Sequence, residues 1–237
     1  FLQRSTLMNT EKNTNLPLVL WVSSLLLLLF TLVLVGGATR ITDSGLSITE
    51  WEVFIGILPP LSESSWFIEF EKYKKIPEFM LVNSSMTLSE FKVIYLWEWG
   101  HRLLARLVGL VCVIPLIIFY FMKKLSKPVI RRSVLISILI GVQGYIGWYM
   151  VQSGLTQRVD VSQYRLSIHL LMAFIIIGLI FWSLLNYLYL RKDNYQVEKD
   201  KTFFNLLISL IFLQIFFGAL VSGLDAGRIY QTWPLMN

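Results

Sequence analysis

The stretch Val93–Met122 reads VIYLWEWGHRLLARLVGLVCVIPLIIFYFM. Apart from Glu98, His101, Arg102 and Arg106 near its start, it carries no ionisable group beyond two tyrosines and Cys112. About 20 apolar residues cross a bilayer as a helix, so this run spans it and projects beyond one face. Four further runs are long enough: Leu16–Ala38, Val134–Val151, Leu166–Leu190 and Phe203–Gly223. Charged residues make up 15% of the chain, against roughly 25% in soluble domains. Inside lipid the backbone must satisfy its own hydrogen bonds, so five runs imply five helices. The expected fold class is all-α integral membrane. Residues 1–192 form a four-helix transmembrane bundle with a long outer loop at 39–92, and residues 193–237 open a second repeat.

The first run is too long for a signal peptide and lacks a small-residue cleavage site. The chain starts at Phe1 without an initiator methionine and stops at Asn237, so residues are expected beyond both ends. Cys112, the one cysteine, lies inside an apolar run and reads as a small buried hydrophobe.

Loop charge sets orientation. Lys123, Lys124, Lys127, Arg131 and Arg132 lie between the second and third runs; Arg191, Lys192, Lys199 and Lys201 lie between the fourth and fifth. These loops, and the N-terminus with them, are expected on the cytoplasmic or matrix side. The net charge of +6 sits in such loops and implies no nucleic-acid partner. Loop 39–92 faces the periplasm or intermembrane space and is richer in acids, Glu52 among them. Within it, Trp66, Phe67, Phe70 and Tyr73 have helical spacing, which predicts a helix lying on the membrane with its apolar face inward. Thr87-Leu88-Ser89-Glu90 reads as a capping box that starts a helix at Leu88 and runs into the second span.

Ser-Gly-Leu recurs at Ser44–Leu46, Ser153–Leu155 and Ser222–Leu224, each after the outward end of an odd-numbered span. Gly37-Ala38 and Gly218-Ala219 precede two of them. Trp51 and Trp233 follow, then Pro59 and Pro234. Glycine permits sharp turns and close helix contact at such exits. The shared order favours a duplicated four-helix unit over chance recurrence.

The chain has two histidines, His101 and His169. Both lie near the outward ends of spans that run in the same direction, so their imidazoles are expected at matched depth. Ionisable groups in membrane spans are costly and are usually functional. A lone histidine in an apolar helix is more often a satisfied core residue. Two at one depth suit axial ligation of a heme iron. Ala105 and Gly109 follow His101 on its face and Ala173 follows His169, leaving room for a flat macrocycle; the plainer reading is close helix contact. Zinc is a weaker alternative, because Glu98 could be a third ligand and no fourth is evident.

Glu98 precedes His101 by three residues and shares its helix face. It could move a proton or stabilise a cation beside the heme, or simply pair with Arg102 at i+4. Arg40, Arg102 and Arg165 are candidates for pairing with heme propionates; interface anchoring is the alternative, above all for Arg165. Arg106 lies deeper and needs a carboxylate or carbonyl partner. Trp97 and Trp99 read as interface anchors, with packing against the heme as the alternative. Gln143 reads as a polar bond across helices in preference to an approach to the ligand.

Four motifs carry a family resemblance. They are GGATRITDSGLSITEW at Gly36–Trp51, EWGHRLLARL at Glu98–Leu107, GWYMVQSGL at Gly147–Leu155 and GALVSGLDAG at Gly218–Gly227. In this order they resemble the heme A synthase family, from about Pro17 to the end. The resemblance implies eight helices in two four-helix halves, each half with a histidine pair. The N-terminal pair is associated with the substrate heme O and the C-terminal pair with a heme b cofactor. His101 and His169 match the first pair, as ligands to the heme iron, and Glu98 matches the family's functional glutamate. The second pair would lie in a C-terminal half that this chain does not reach. The absence of cysteine from residues 39–92 resembles the cysteine-free type of mitochondria and proteobacteria.

The resemblance further implies oxidation of a heme O methyl group to the formyl group of heme A, for terminal oxidase assembly. Its implied partners are heme O synthase, terminal oxidase assembly factors, the lipid bilayer and a second copy of the chain. The implied location is the bacterial cell membrane or the mitochondrial inner membrane. A b-type membrane cytochrome, carrying electrons without modifying heme, is the alternative. A transporter or structural subunit would hold no heme.

Overall fold

The computed structural model describes residues 2–51, 55–156, 158–188, 201–229, 232 and 235, with backbone alone for 2–15 and 55. The readings of Glu52, Arg191, Lys192, Lys199, Trp233 and Pro234 fall outside the described residues. Among the described residues eight α-helices follow in order: α1 (Leu2–Ile41), α2 (Glu63–Tyr73), α3 (Pro77–Leu81), α4 (Leu88–Phe121), α5 (Lys127–Thr156), α6 (Gln163–Tyr187), α7 (Lys201–Gly223) and α8 (Ala226–Ile229). Five of them are long and apolar enough to cross a membrane, α1 doing so over Leu16–Ile41. The protein is a multi-pass membrane protein, with every span the sequence predicts. The third span is longer than its apolar core, because α5 continues through Lys127–Arg132 at one end and to Thr156 at the other.

Helices α1, α4, α5 and α6 form the bundle: α1 packs on α4 and α6, and α5 on α4 and α6. Helix α7 lies against α6. The inner core is built from Leu18, Trp21, Leu25 and Leu29 of α1, Val108 and Cys112 of α4, Ile136 of α5 and Ile176 and Ile180 of α6. Pro115 lies inside α4. It has no N–H to donate to Val111 four residues earlier. The indole of Trp21 donates to that carbonyl instead, at 2.7 Å.

At the start of α4, the capping box holds as the sequence predicts. The Thr87 side chain accepts from Glu90 N, and Thr87 N donates to the Glu90 carboxylate at 2.7 Å. Helix α2 differs from expectation in what its apolar face covers. Phe70 and Tyr73 are buried in a second core with Phe91, Ile94 and Tyr95 of α4, and Trp66 meets the Tyr95 ring edge-on at 5.1 Å. The apolar stripe therefore faces protein, because the projecting end of α4 supplies an aromatic surface that the amphipathic pattern alone does not reveal. Phe67 and Ile68 remain exposed.

The Ser-Gly-Leu exits are close-contact points. A Cβ added at Gly154 would stand 2.6 Å from the methyl carbons of Leu46, so the leucine of the first motif seats on the glycine of the second. One added at Gly223 would meet the backbone of Gln163 at 2.8 Å.

Candidate functional site

The site residues gather at the end of the bundle where α4 and α6 begin and α5 finishes, beneath the start of loop 39–92. Glu98 is buried, and its two oxygens accept three hydrogen bonds. Arg102 Nη2 donates to Oε1 at 2.6 Å; Ser47 Oγ and Ile48 N donate to Oε2 at 2.7 and 2.8 Å. Arg102 also donates to the carbonyls of Ile48 and Glu50 at 3.0 and 3.1 Å and lies over the Trp51 ring. The i+4 salt bridge is therefore present, and the pair does more than close on itself: it fastens the first turn of the outer loop to α4. Trp99 extends this fastening by donating to the Ile57 carbonyl.

His101 and His169 are half-buried and lie within electrostatic range of each other. Each ring is seated against a glycine of a neighbouring helix. A Cβ at Gly36 of α1 would lie 3.0 Å from His101 Nε2, and a Cβ at Gly147 of α5 would lie 3.0 Å from His169 Cε1. Below His101, Ala105 is exposed and a Cβ at Gly109 would meet nothing within 4 Å. Two imidazoles, glycines that make way for them and an open strip of small residues fit a heme. Among the described residues no group of three His, Cys, Asp or Glu side chains is placed to hold a metal ion, which leaves the zinc alternative without a ligand set.

Gln143 bonds across helices as expected. Its Nε2 donates to the His169 carbonyl at 2.9 Å and lies 3.2 and 3.4 Å from the two ring nitrogens of His169. Its Oε1 is buried with no hydrogen-bond partner among the described residues.

The other arginines are engaged. Arg40 faces three carboxylates, Asp43, Asp160 and Asp225, at 3.3, 3.0 and 2.8 Å, and donates to the Ser222 carbonyl. It thereby joins the exits of α1 and α7 to the loop before α6. Burial pushes the Asp160 carboxyl up, and Arg40 pulls it back. Arg165 donates to the Tyr149 carbonyl at 2.6 Å and stacks on that ring at 3.7 Å. Arg102 and Arg106 line a cavity of about 210 Å³ under the outer loop with Tyr95, Trp99 and Glu69.

One buried acid has no forewarning in the sequence. Glu78 of α3 is buried, with Oε2 unpartnered among the described residues. Burial pushes its carboxyl up to about 8, and the nearby Glu98, Asp160 and Asp43 add to the effect.

The COX15-CtaA model, described as cytochrome oxidase assembly protein, matches residues 19–237. The chain belongs to this family. Among its curated relatives are proteins named heme A synthase. That of Pelagibacter ubique (strain HTCC1062) is 50% identical over 93% of this chain and 65% of its own length. That of Rhizobium etli (strain CIAT 652) is 49% identical over 92% and 59%. That of Bartonella bacilliformis is 45% identical over 100% and 66%. The chain thus spans about three fifths to two thirds of these relatives. No solved structure matches it. Membership of COX15-CtaA agrees with the resemblance read from the motifs, and it implies a heme-related cofactor. Glycines 36 and 147 are the residues that sequence reasoning passed over. Each stands inside a quoted motif, and the available signal was a glycine in a span facing a helix that carries a histidine.

Proposed function

We propose that this chain forms the heme O site of a heme A synthase, which oxidises one heme O methyl group to the formyl group of heme A for terminal oxidase assembly. His101 and His169 ligate the iron of the substrate. The observation that carries this reading is the pairing of the two imidazoles with Gly36 and Gly147 at the same end of the bundle. The relatives' names supply the reaction.

Glu98 acts beside His101. Its negative charge stabilises a cation that develops near the methyl group, or its carboxylate receives a proton from it, while Arg102, Ser47 and Ile48 hold it in place. Arg102 and Arg165 are the arginines nearest the histidine-bearing turns in sequence and serve the propionates. Arg40 serves them only at the cost of its own carboxylate partners.

Residues 1–192 form one four-helix unit and 193–237 begin another, with heme b held by the family's C-terminal half. Asp43 and Asp225, both left-handed in backbone and both paired with Arg40, support that symmetry. The basic loops lie on the cytoplasmic or matrix side and loop 39–92 on the periplasmic or intermembrane side of a bacterial cell membrane or mitochondrial inner membrane. Heme O synthase and oxidase assembly factors are the natural neighbours.

The test is pigment analysis of the purified protein supplied with heme O. Formyl or hydroxylated heme supports the synthase; bound but unmodified heme supports an electron-transfer cytochrome; absence of heme removes both. Glu98→Gln with a wild-type conversion rate would remove Glu98 from the chemistry.

A further inference from the structure

Residues 53–62 carry no charge, and three of them, Ile57, Leu58 and Leu61, are left exposed at 47, 67 and 80%. An apolar stretch on the outside of a loop marks a contact surface. What lies against it follows from its level along α4. That helix ends at Phe121, with Lys123 and Lys124 just beyond. A bilayer core takes about 20 helical residues, and counting that many back from Phe121 reaches Arg102. Trp99 stands about one turn further on, at the border where tryptophan settles. Its indole donates to the Ile57 carbonyl at 3.2 Å. The stretch is therefore tied to the membrane border and does not stand clear of it in water.

The rest of the fold agrees with lipid as the occupant. In the bundle α4 packs on α1 and α5, while α7 packs on α6, across the ring from α4. The stretch thus lies on the side of the bundle that α7 does not cover. Pro59 and Pro60 are half-buried and line the cavity that Arg102 also lines, so protein backs the stretch on one side. Neither proline has an N–H to leave unmatched near lipid. We propose that Ile57, Leu58 and Leu61 rest in the head-group region of the leaflet next to loop 39–92, with their side chains against the acyl chains. The face of α2 that the sequence assigns to the membrane packs on α4, and the loop meets lipid through residues 57–61 instead. This surface is independent of the heme reading.

The experiment attaches a nitroxide to L58C and, separately, to L61C in the purified protein in phosphatidylcholine vesicles. It measures relaxation by oxygen, which concentrates in lipid, and by a water-soluble nickel chelate. Cys112 is buried, and wild type labelled in parallel reports any reaction there. L110C, at an exposed position within the span, sets the lipid value; E71C, at an exposed position on α2, sets the aqueous one. The oxygen-to-nickel ratio at both sites should exceed that at E71C severalfold and approach that at L110C. A ratio equal to that at E71C puts the stretch in water and overturns the inference. Low access to both reagents overturns it too, and spin–spin broadening in that case identifies a second copy as the cover. Neither side chain belongs to either core, so if one variant fails to accumulate the other decides alone.

Discussion

Gly36 of α1 lies so close beneath His101 of α4 that a single added carbon would stand 3.0 Å from the imidazole Nε2. The same relation holds between Gly147 and His169 Cε1. The two histidines are therefore positioned by what their neighbours lack. Substitution at either glycine should turn a ring without removing a ligand. G36V and G147V are expected to fold, since both positions lie in apolar spans, and to lose most of the heme that the histidine pair retains. G36A should lose less, because a ring can give by a few tenths of an ångström. Heme per protein, read from the absorption spectrum after purification, checks this. Full heme content in both valine variants would rule out the seating.

Glu78 makes a second case, outside the membrane. Its folded carboxyl titrates at about 8, from an ordinary value of 4.5, chiefly through burial. A folded value above the unfolded one means that the folded state holds the proton more tightly. Stability is then full below about 4.5 and falls as pH rises to 8. A tenfold difference in proton affinity is worth about 1.4 kcal/mol, so the loss approaches about 5 kcal/mol above pH 8. E78Q keeps the size and removes the charge. It should melt at a higher temperature than wild type at about pH 8.5 and at nearly the same temperature at about pH 4.5. Asp160, whose carboxyl burial also raises, contributes to the slope that remains in E78Q. Melting curves at several pH values in one detergent would show this. A parallel pH dependence in the two proteins would contradict it.

How much of this is readable from the sequence divides by range. Spans and the capping box at Thr87 depend on residues near one another in the chain, and hydropathy or spacing reveals them. The Glu98–Arg102 bridge is local too. What pattern does not supply is the partner across space. Phe70 and Tyr73 have the right amphipathic period, yet only the fold shows that Phe91 and Tyr95 receive them. Arg40 reads as free for a propionate because Asp160 and Asp225 are distant in sequence. Glu78 resembles any loop acid until α3 is packed against α5.

The Arg40 cluster yields a third prediction. Its guanidinium is mostly buried, while its carboxylate partners are between a third and a half exposed. Removing the cation leaves three acids facing one another, but water screens them, so the cost is well below that of a buried pair. R40M should lose about 2 kcal/mol at low salt, and less at high salt. D225N in that background should recover part of it by relieving repulsion. Thermal melts across ionic strength test both signs. An R40M defect that is insensitive to salt would point to packing.

The Trp21 indole and Pro115 give a prediction with its own internal control. Val111 has lost its helical donor to the proline ring, and Trp21 supplies the replacement at 2.7 Å. W21F keeps the aromatic packing and leaves that carbonyl unmatched, which should cost about 1–3 kcal/mol. P115A restores an N–H to α4 at the position that serves Val111. In that background the indole is no longer the sole donor, so W21F should cost clearly less than it does alone. The four proteins of the cycle, compared by thermal unfolding in one lipid or detergent, give the coupling directly. Equal costs for W21F with and without Pro115 would show that the indole contributes by packing and that its hydrogen bond to Val111 is incidental.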